Sequence, residues 1–329
     1  MMAFDCITFG ESMVRLAPPG HRRLEQARSL DVQVGGAELN TAVGLARLGR
    51  STSWVSRLTD NPLGRLIANH AREAGVDTSN VLFTSEDRVG LYFLEFGAAP
   101  RASGVLYDRK NSAIAGVKPG MIPWANVFKG ARWFHVTGIL PALSSSAAEA
   151  TLEACQAARA AGCKISMDLN YRAKLWSTAE AGACMSVLMA FCDVLITTEE
   201  DIEKVFEIKA DSYEAAAARV HERFGTPTIA ITLRENPLVW LNDWTAILWC
   251  PEGVLRTRSY KVEIVDRLGA GDSFAAGLIH GLLDNDPQKG LDWGIAMSAI
   301  KHTIPGDFAW VTAAEVESTV KGGGLRISR

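Results

Sequence analysis

Late in the chain, the segment Val265-Asp266-Arg267-Leu268-Gly269-Ala270-Gly271-Asp272-Ser273-Phe274 sets two glycines one residue apart with an aspartate directly after them. A strand leads into this small-residue turn, and the turn opens a helix whose apolar positions continue through Leu282. Glycines at 269 and 271 leave backbone N–H groups uncovered at a helix N-terminus, a ready site for an anion. Asp272, in the first turn, would stand beside that anion. A carboxylate there can take the proton of an attacking hydroxyl, as phosphoryl transfer requires. A tight turn with Asp272 as a helix-stabilising acid explains the same spacing. Spacing alone leaves the two readings even.

Rival chemistries fail on pattern. Phe274 stands where the last glycine of a G-x-G-x-x-G dinucleotide fingerprint belongs, and the segment lies far from the first strand. No G-x-x-x-x-G-K-[ST] P-loop occurs, nor any protein-kinase catalytic-loop signature. The six cysteines form no C-x-x-C pair and the six histidines no H-E-x-x-H, so reduced buried thiols are expected and a metal site built on His is not.

The elements that must hold this turn are legible as alternation. Apolar runs at 5–9, 52–56, 133–136, 164–168, 194–198 and 228–233 read as strands covered on both faces. Between them lie helices. One opens at Asn61-Pro62 and closes at Gly75, with Leu63, Leu66, Ile67, His70 and Ala74 on one face. Another runs from the serines at 144–146 to Gly162, and a late one starts at Thr312 with Glu315 completing a capping box. Such alternation predicts an α/β fold with a mostly parallel sheet between helical layers. Residues 11–34 and 88–113 break it. They read as non-helical strand segments that form a small β lid on one domain spanning 1–329. Residues 238–241 and 245–249 suggest a hairpin turning at Asn242-Asp243-Trp244. Asn170 and Arg172 follow the strand ending near Asp168, at the carboxyl edge where open α/β sheets collect ligands.

A net charge of −3 without like-charge blocks argues against nucleic acid and membrane surfaces. The longest apolar window, 183–192, is half of what a membrane span needs. The first ten residues lack a basic region, and Asp5 interrupts them, so they read as a first strand in a cytoplasmic protein.

Two motifs in order carry a resemblance: Gly35-Gly36-Ala37-Glu38-Leu39-Asn40 with Leu45-Ala46-Arg47-Leu48-Gly49 early, and Gly269–Asp272 late. With them the chain resembles the ribokinase-like (PfkB) carbohydrate kinases over essentially its whole length. The segments 133–139, 168–176 and 301–307, and Arg267 after Asp266, are similar to the 2-keto-3-deoxygluconate kinase branch. The resemblance implies a ribokinase-like three-layer fold with a β lid over the sugar, and ATP with Mg²⁺, a monovalent cation being a further allowance. It implies Asp272 as catalytic base, with Gly269, Ala270 and Gly271 as the anion turn. Gly35, Gly36, Asn40, Tyr92, Tyr107, Arg109, Ile139 and Arg172 fall to the sugar. Asn170, Thr232, Arg234, Gly269, Gly271 and His302 fall to ATP. Tyr107 and Arg109 share one strand face, with Arg109 open to a carboxylate; without the family they read as an exposed strand face. Arg172 suits either the transferring phosphate or the sugar acid, against a plain salt bridge to a neighbouring acid.

The chain also departs from the family. Where N-x-x-E is usual, it has Thr198-Glu199-Glu200-Asp201, leaving Glu200 and Asp201 for a hydrated Mg²⁺ or simply for the helix N-terminus. Where a glycine-bearing loop is common, it has Arg234-Glu235-Asn236-Pro237. The expectation is an ATP-dependent kinase of a keto-deoxy sugar acid. The alternatives are a fructokinase or another sugar specificity, and a sugar- or nucleotide-binding protein without turnover. The resemblance and the apolar Leu91, Phe93 and Phe96 allow a homodimer or higher oligomer.

Overall fold

A computed structural model describes residues 3–235 and 241–323, and within them all side chains but those of 234, 235 and 241–243. The chain begins β1 (Cys6–Phe9), β2 (Met13–Ala17), β3 (Asp31–Gly35), α1 (Ala37–Arg47), β4 (Thr52–Thr59), α2 (Pro62–Glu73) and β5 (Val81–Thr84). It continues β6 (Leu91–Glu95), β7 (Gly104–Asp108), α3 (Trp124–Val127), β8 (Trp133–Thr137), α4 (Ser145–Ala160), β9 (Lys164–Asp168) and α5 (Thr178–Leu188). Next come β10 (Val194–Thr197), α6 (Glu199–Phe206), α7 (Tyr213–Phe224), β11 (Thr228–Glu235) and β12 (Leu241–Cys250). The last elements are β13 (Gly253–Arg256), β14 (Tyr260–Glu263), α8 (Ala270–Leu282), α9 (Pro287–His302) and α10 (Ala313–Val320).

Ten strands form one sheet in the order β13-β12-β11-β10-β9-β8-β1-β4-β5, with β14 also paired to β12. From β5 to β11 every pairing is parallel, and β12 turns antiparallel. Every residue of β8 and β10 is buried, as a strand covered on both faces requires. Alternate residues feed two cores. Ile7, Phe9, Phe134, Val136, Ile165 and Met167 pack on alanine-rich α4 and on α5 and α7. Cys6, Trp133, Val194, Ile196 and Ala230 pack on α8 and α9 through Phe274, Leu278, Leu291 and Ile295. Helices α8 and α9 cross almost backbone to backbone. A Cβ at Gly277 would come within 2.6 Å of Gly294, and one at Gly281 within 2.1 Å of Gly290. That contact fixes the first turn of α8 against the last turn of α9.

β3-β2-β6-β7 form a separate four-stranded sheet, drawn from the two stretches expected as a lid. The 11–34 stretch also contains one turn of 3₁₀ helix at Leu24–Gln26, where no helical residues were expected.

Two further expectations are corrected. Asn242, Asp243 and Trp244 are not a turn: they lie inside β12, all three paired with β14 and the last two also with β11. Trp244 is 2% exposed, and its burial in the sheet overrides the turn propensity of Asn-Asp. The connection between β11 and β12 falls to 236–240, outside the described residues. In α2 the buried face is Gly64, Ile67, Ala68 and Ala71, while Leu63 is 44% exposed. Gly64 rests against the Thr59 carbonyl, where a Cβ would come within 2.0 Å, and this close approach turns Leu63 outward. The N-caps at Asn61 and Thr312 hold: Asn61 accepts from the Leu63 and Gly64 N–H groups, and the Thr312 hydroxyl accepts from Glu315 N–H at 3.2 Å. The box expected at Thr312 is only half formed, with no bond from the Glu315 side chain back to Thr312 N–H among the described residues.

Candidate active site

Strand order reverses between β1 and β8, where a parallel sheet opens a crevice at its carboxyl ends. The first turn of α1 fills it. Glu38 is fully buried, and its Oε1 accepts the N–H and O–H of Thr137 at 3.0 and 2.7 Å. Burial, only partly offset by these bonds, pushes its carboxyl up to about 7. Gly36 presses on the Glu11 carbonyl, with room for no Cβ: one would stand 2.0 Å from that oxygen. This seats Asn40, 3% exposed, over the crevice.

The Gly269 turn meets Asn40 from the opposite side. Gly269 has φ 81°, and a Cβ there would also lie 1.9 Å from the Asp307 carbonyl, so only glycine fits. Gly271 faces open space. Asp272, the third residue of α8, accepts from Asn40 Nδ2 at 2.7 Å, and the Thr41 hydroxyl donates to its carbonyl at 3.3 Å. Burial pushes the Asp272 carboxyl up to about 6, against the pull of Asn40, Arg172 and Lys301 and with a further push from Asp307. A carboxylate of that strength is ionised at neutral pH and able to accept a proton.

Two cavities share the wall formed by Asp272, Gly269, Leu268, Asn170 and Arg172. The larger, about 630 Å³, runs over Gly271, Arg267, Thr232, Trp244 and the start of α6. Asn170 enters it with φ 41°, a left-handed conformation that asparagine tolerates, its N–H donating to Asp168 Oδ1 at 3.1 Å. Burial and the nearby Asp272 and Asp201 push Asp168 up to about 8, and burial also raises Asp201. Arg172 is exposed. It gives one N–H to the Tyr171 carbonyl at 3.2 Å, and no ion pair within 4 Å ties it down among the described residues. Thr198 caps α6 by accepting from Asp201 N–H, and Glu200 is paired with Lys204 on the exposed side. Asp168 and Asp201 are hard-oxygen donors that suit Mg²⁺. No three His, Cys, Asp or Glu side chains converge on one point among the described residues, so phosphate oxygens and water would supply most of its shell.

The smaller cavity, about 90 Å³, is lined by Glu11, Tyr92, Tyr107, Arg109, Ile139 and Asn40 with the Gly35-Gly36 backbone. Tyr92 and Tyr107 are cross-strand partners with ring centroids 6.0 Å apart. The Arg109 guanidinium lies over the Tyr107 ring and is ion-paired with buried Glu11, which Ser112 also bonds. Arg109 Nε is buried and has no hydrogen-bond partner among the described residues, while the buried Tyr92 hydroxyl faces the Asp307 carboxylate. An unpaired buried donor is rare and expensive, and Arg109 lines the smaller cavity.

Beneath the lid lies a buried charge cluster. Arg15 of β2 bonds Asp266 at 2.6 Å and Asp307 at 2.7 Å, all three nearly inaccessible, with Phe96 stacked on the guanidinium at 5.4 Å. Asp266 also accepts from the N–H groups of Leu268 at 3.1 Å and Gly306 at 2.9 Å. The lid is thus fastened to the loops on either side of the Gly269 turn.

The structure brings together on the smaller cavity all of Gly35, Gly36, Asn40, Tyr92, Tyr107, Arg109, Ile139 and Arg172. Asn170, Thr232, Gly269 and Gly271 line the larger one. His302 does not. It is 3% exposed, with Nδ1 at 2.8 Å from the Ser298 carbonyl and its ring edge-on to Trp244, one layer behind the cavity wall. Arg234 lies in β11 with its side chain outside those described. Tyr107 and Arg109 are not on an exposed strand face: both are partly buried, because that face of the lid turns inward over the cavity. Sequence reasoning gave no role to Glu11, Arg15, Asp168 or Trp244, and it singled out 301–307 without a role for Lys301 or Asp307. Asp168 had a usable signal, as an acid ending a strand on the ligand-collecting edge.

The pfkB family carbohydrate kinase model matches residues 3–303. The chain is 36% identical over 329 residues, all of both chains, to 2-dehydro-3-deoxygalactonokinase of Haloferax volcanii. It is 31% identical to 5-dehydro-2-deoxygluconokinase of Shouchella clausii, covering 97% of this chain and 96% of that one. A crystal structure of 2-dehydro-3-deoxygluconokinase from Thermotoga maritima superposes with TM-score 0.94 at 42% identity, covering 98% and 99% of the two chains. With a ribokinase-like sheet, a lid and a glycine turn carrying an aspartate, the chain belongs to the pfkB family of carbohydrate kinases, phosphotransferases with an alcohol acceptor.

Proposed function

We propose that the protein transfers the γ-phosphoryl group of ATP to the terminal hydroxyl of a 2-keto-3-deoxy sugar acid. What supports this above all is the position of Asp272 in the wall shared by two cavities, the smaller offering the unpaired Arg109 Nε donor. A carboxylate on the acceptor would satisfy Arg109 with a charge-assisted bond, which a neutral sugar cannot do. Asp272 takes the proton of the hydroxyl, Asn40 holds its carboxylate in aim, and Arg172 is free to follow the charge of the transferring group. Mg²⁺, held by Asp168 and Asp201 through water, would supply charge neutralisation on the phosphates. The lid over the acceptor excludes water that would otherwise hydrolyse ATP.

The names borne by the relatives support a sugar-acid acceptor, and they span both the gluco and the galacto epimer. The outer lid face carries Val32, Leu16, Phe93 and Leu106 in one cross-strand row, with Val32 48% and Leu106 61% exposed, which favours a lid-to-lid homodimer. Six free cysteines, four of them buried, suit the cytoplasm, and no helix of the described residues is long and apolar enough to cross a membrane. The test is ADP release with 2-keto-3-deoxygluconate, its galacto epimer, fructose and ribose. Both sugar acids should exceed the neutral sugars at least about a hundredfold in kcat/KM. Equal or better turnover of fructose would refute the carboxylate reading.

A further inference from the structure

Lys301, in the last turn of α9, is 0% exposed, and the roles assigned above leave it none. Lysines are almost never fully buried unless paired. This one has no carboxylate within 4 Å among the described residues. Its ammonium donates instead to main-chain carbonyls, to Ile304 at 3.0 Å and Asp266 at 3.5 Å. Those carbonyls belong to the two loops that make the floor of the Gly269 turn. One loop runs from Asp266 into Gly269. The other runs from Ile304 to Asp307, whose carbonyl abuts Gly269, and Gly306 N–H closes back onto Asp266.

A compact cation held between one carbonyl of each of two loops takes a place that a monovalent metal ion could otherwise occupy. Here the side chain fills it. The neighbouring carboxylates have little left to offer a free ion. Both oxygens of Asp266 are taken by Arg15, Leu268 N–H and Gly306 N–H, and Asp307 is bonded by Arg15 and faced by the Tyr92 hydroxyl. Charge balances within the cluster, with Arg15 and Lys301 against Asp266 and Asp307. Burial lowers the proton affinity of Lys301, while Asp266, Asp307 and Asp272 oppose that loss.

We infer that Lys301 is a built-in cation: a positioning residue whose ammonium holds the phosphate turn in shape, so that phosphoryl transfer needs no monovalent metal ion. The inference rests on the reading of Gly269–Gly271 as the phosphate turn. It predicts that the wild-type rate with a sugar acid agrees within about twofold in potassium, sodium and choline chloride at equal ionic strength. Thermal melting of the wild type should likewise show no potassium-specific shift. Lys301→Met should lower kcat at least about tenfold while the sugar-acid KM stays within about threefold, since Lys301 does not line the acceptor cavity. Lys301→Ala should regain about fivefold or more in ammonium or potassium but not in choline.

Activation of the wild type by potassium beyond about fivefold over choline would overturn the inference, as would potassium-specific stabilisation or full kcat in Lys301→Met. If the variants fail to fold, the two wild-type measurements still decide. A wild type inactive in every salt would count against the kinase reading, and the melting comparison would then judge the cation claim alone.

Discussion

The two cavities that meet at Asp272 are built by different means. The acceptor side is small and walled by committed side chains: Arg109 on Glu11, Tyr92 against Tyr107, Asn40 on Asp272, and the Arg15 cluster beneath. The donor side is several times larger. Its central surface is main chain at Gly269 and Gly271, with exposed Arg172 and the acids of α6 at its margin. A side-chain wall discriminates among acceptors, because each displaced partner leaves a buried group unpaired. A main-chain surface offers N–H groups that suit any phosphate and discriminates less.

The largest effect should come from the acceptor wall. Arg109→Met is expected to lower kcat/KM for the sugar acid by about a hundredfold, and that for fructose by less than about threefold. Equal losses on both acceptors would erase the contrast between the walls. Next is the cluster under the lid. Asp307→Ala leaves Arg15 with one partner and should cost about 3–5 kcal/mol in urea unfolding; a loss below about 1 kcal/mol would mean the lid is fastened elsewhere. The pH profile follows. Asp272 must be ionised to act as base, so kcat/KM should fall about tenfold per unit below a pKa near 6 and level off above it. An acid limb near pH 4 would deny the desolvation of Asp272. Smallest is the donor side: Thr198→Asn keeps an N-cap on α6 and should change kcat by less than about threefold in steady-state assays.

What was legible in the sequence follows the same division. The Gly269–Asp272 turn, the Gly35-Gly36 turn and the strands of the central sheet announce themselves locally, by glycine spacing and apolar runs. Arg15, Asp266 and Asp307 could not, since Arg15 lies 251 and 292 residues from its partners and an isolated arginine in a strand reads as surface. Glu11 and Glu38 were hidden for the same reason, being buried acids that only their tertiary partners explain. The turn expected at Asn242–Trp244 failed because local propensity was followed where the burial of Trp244 decides.

The measurement that bears most directly on Asp272 as the base between the two cavities is single-turnover phosphoryl transfer by Asp272→Asn, with binding of both substrates followed by calorimetry. Asparagine keeps the shape and the bond to Asn40 but cannot accept the proton. The account predicts that the rate falls by about 10³-fold or more while both dissociation constants stay within about threefold. A rate within about tenfold of the wild type would remove Asp272 from the chemistry and leave the turn as a binding feature only.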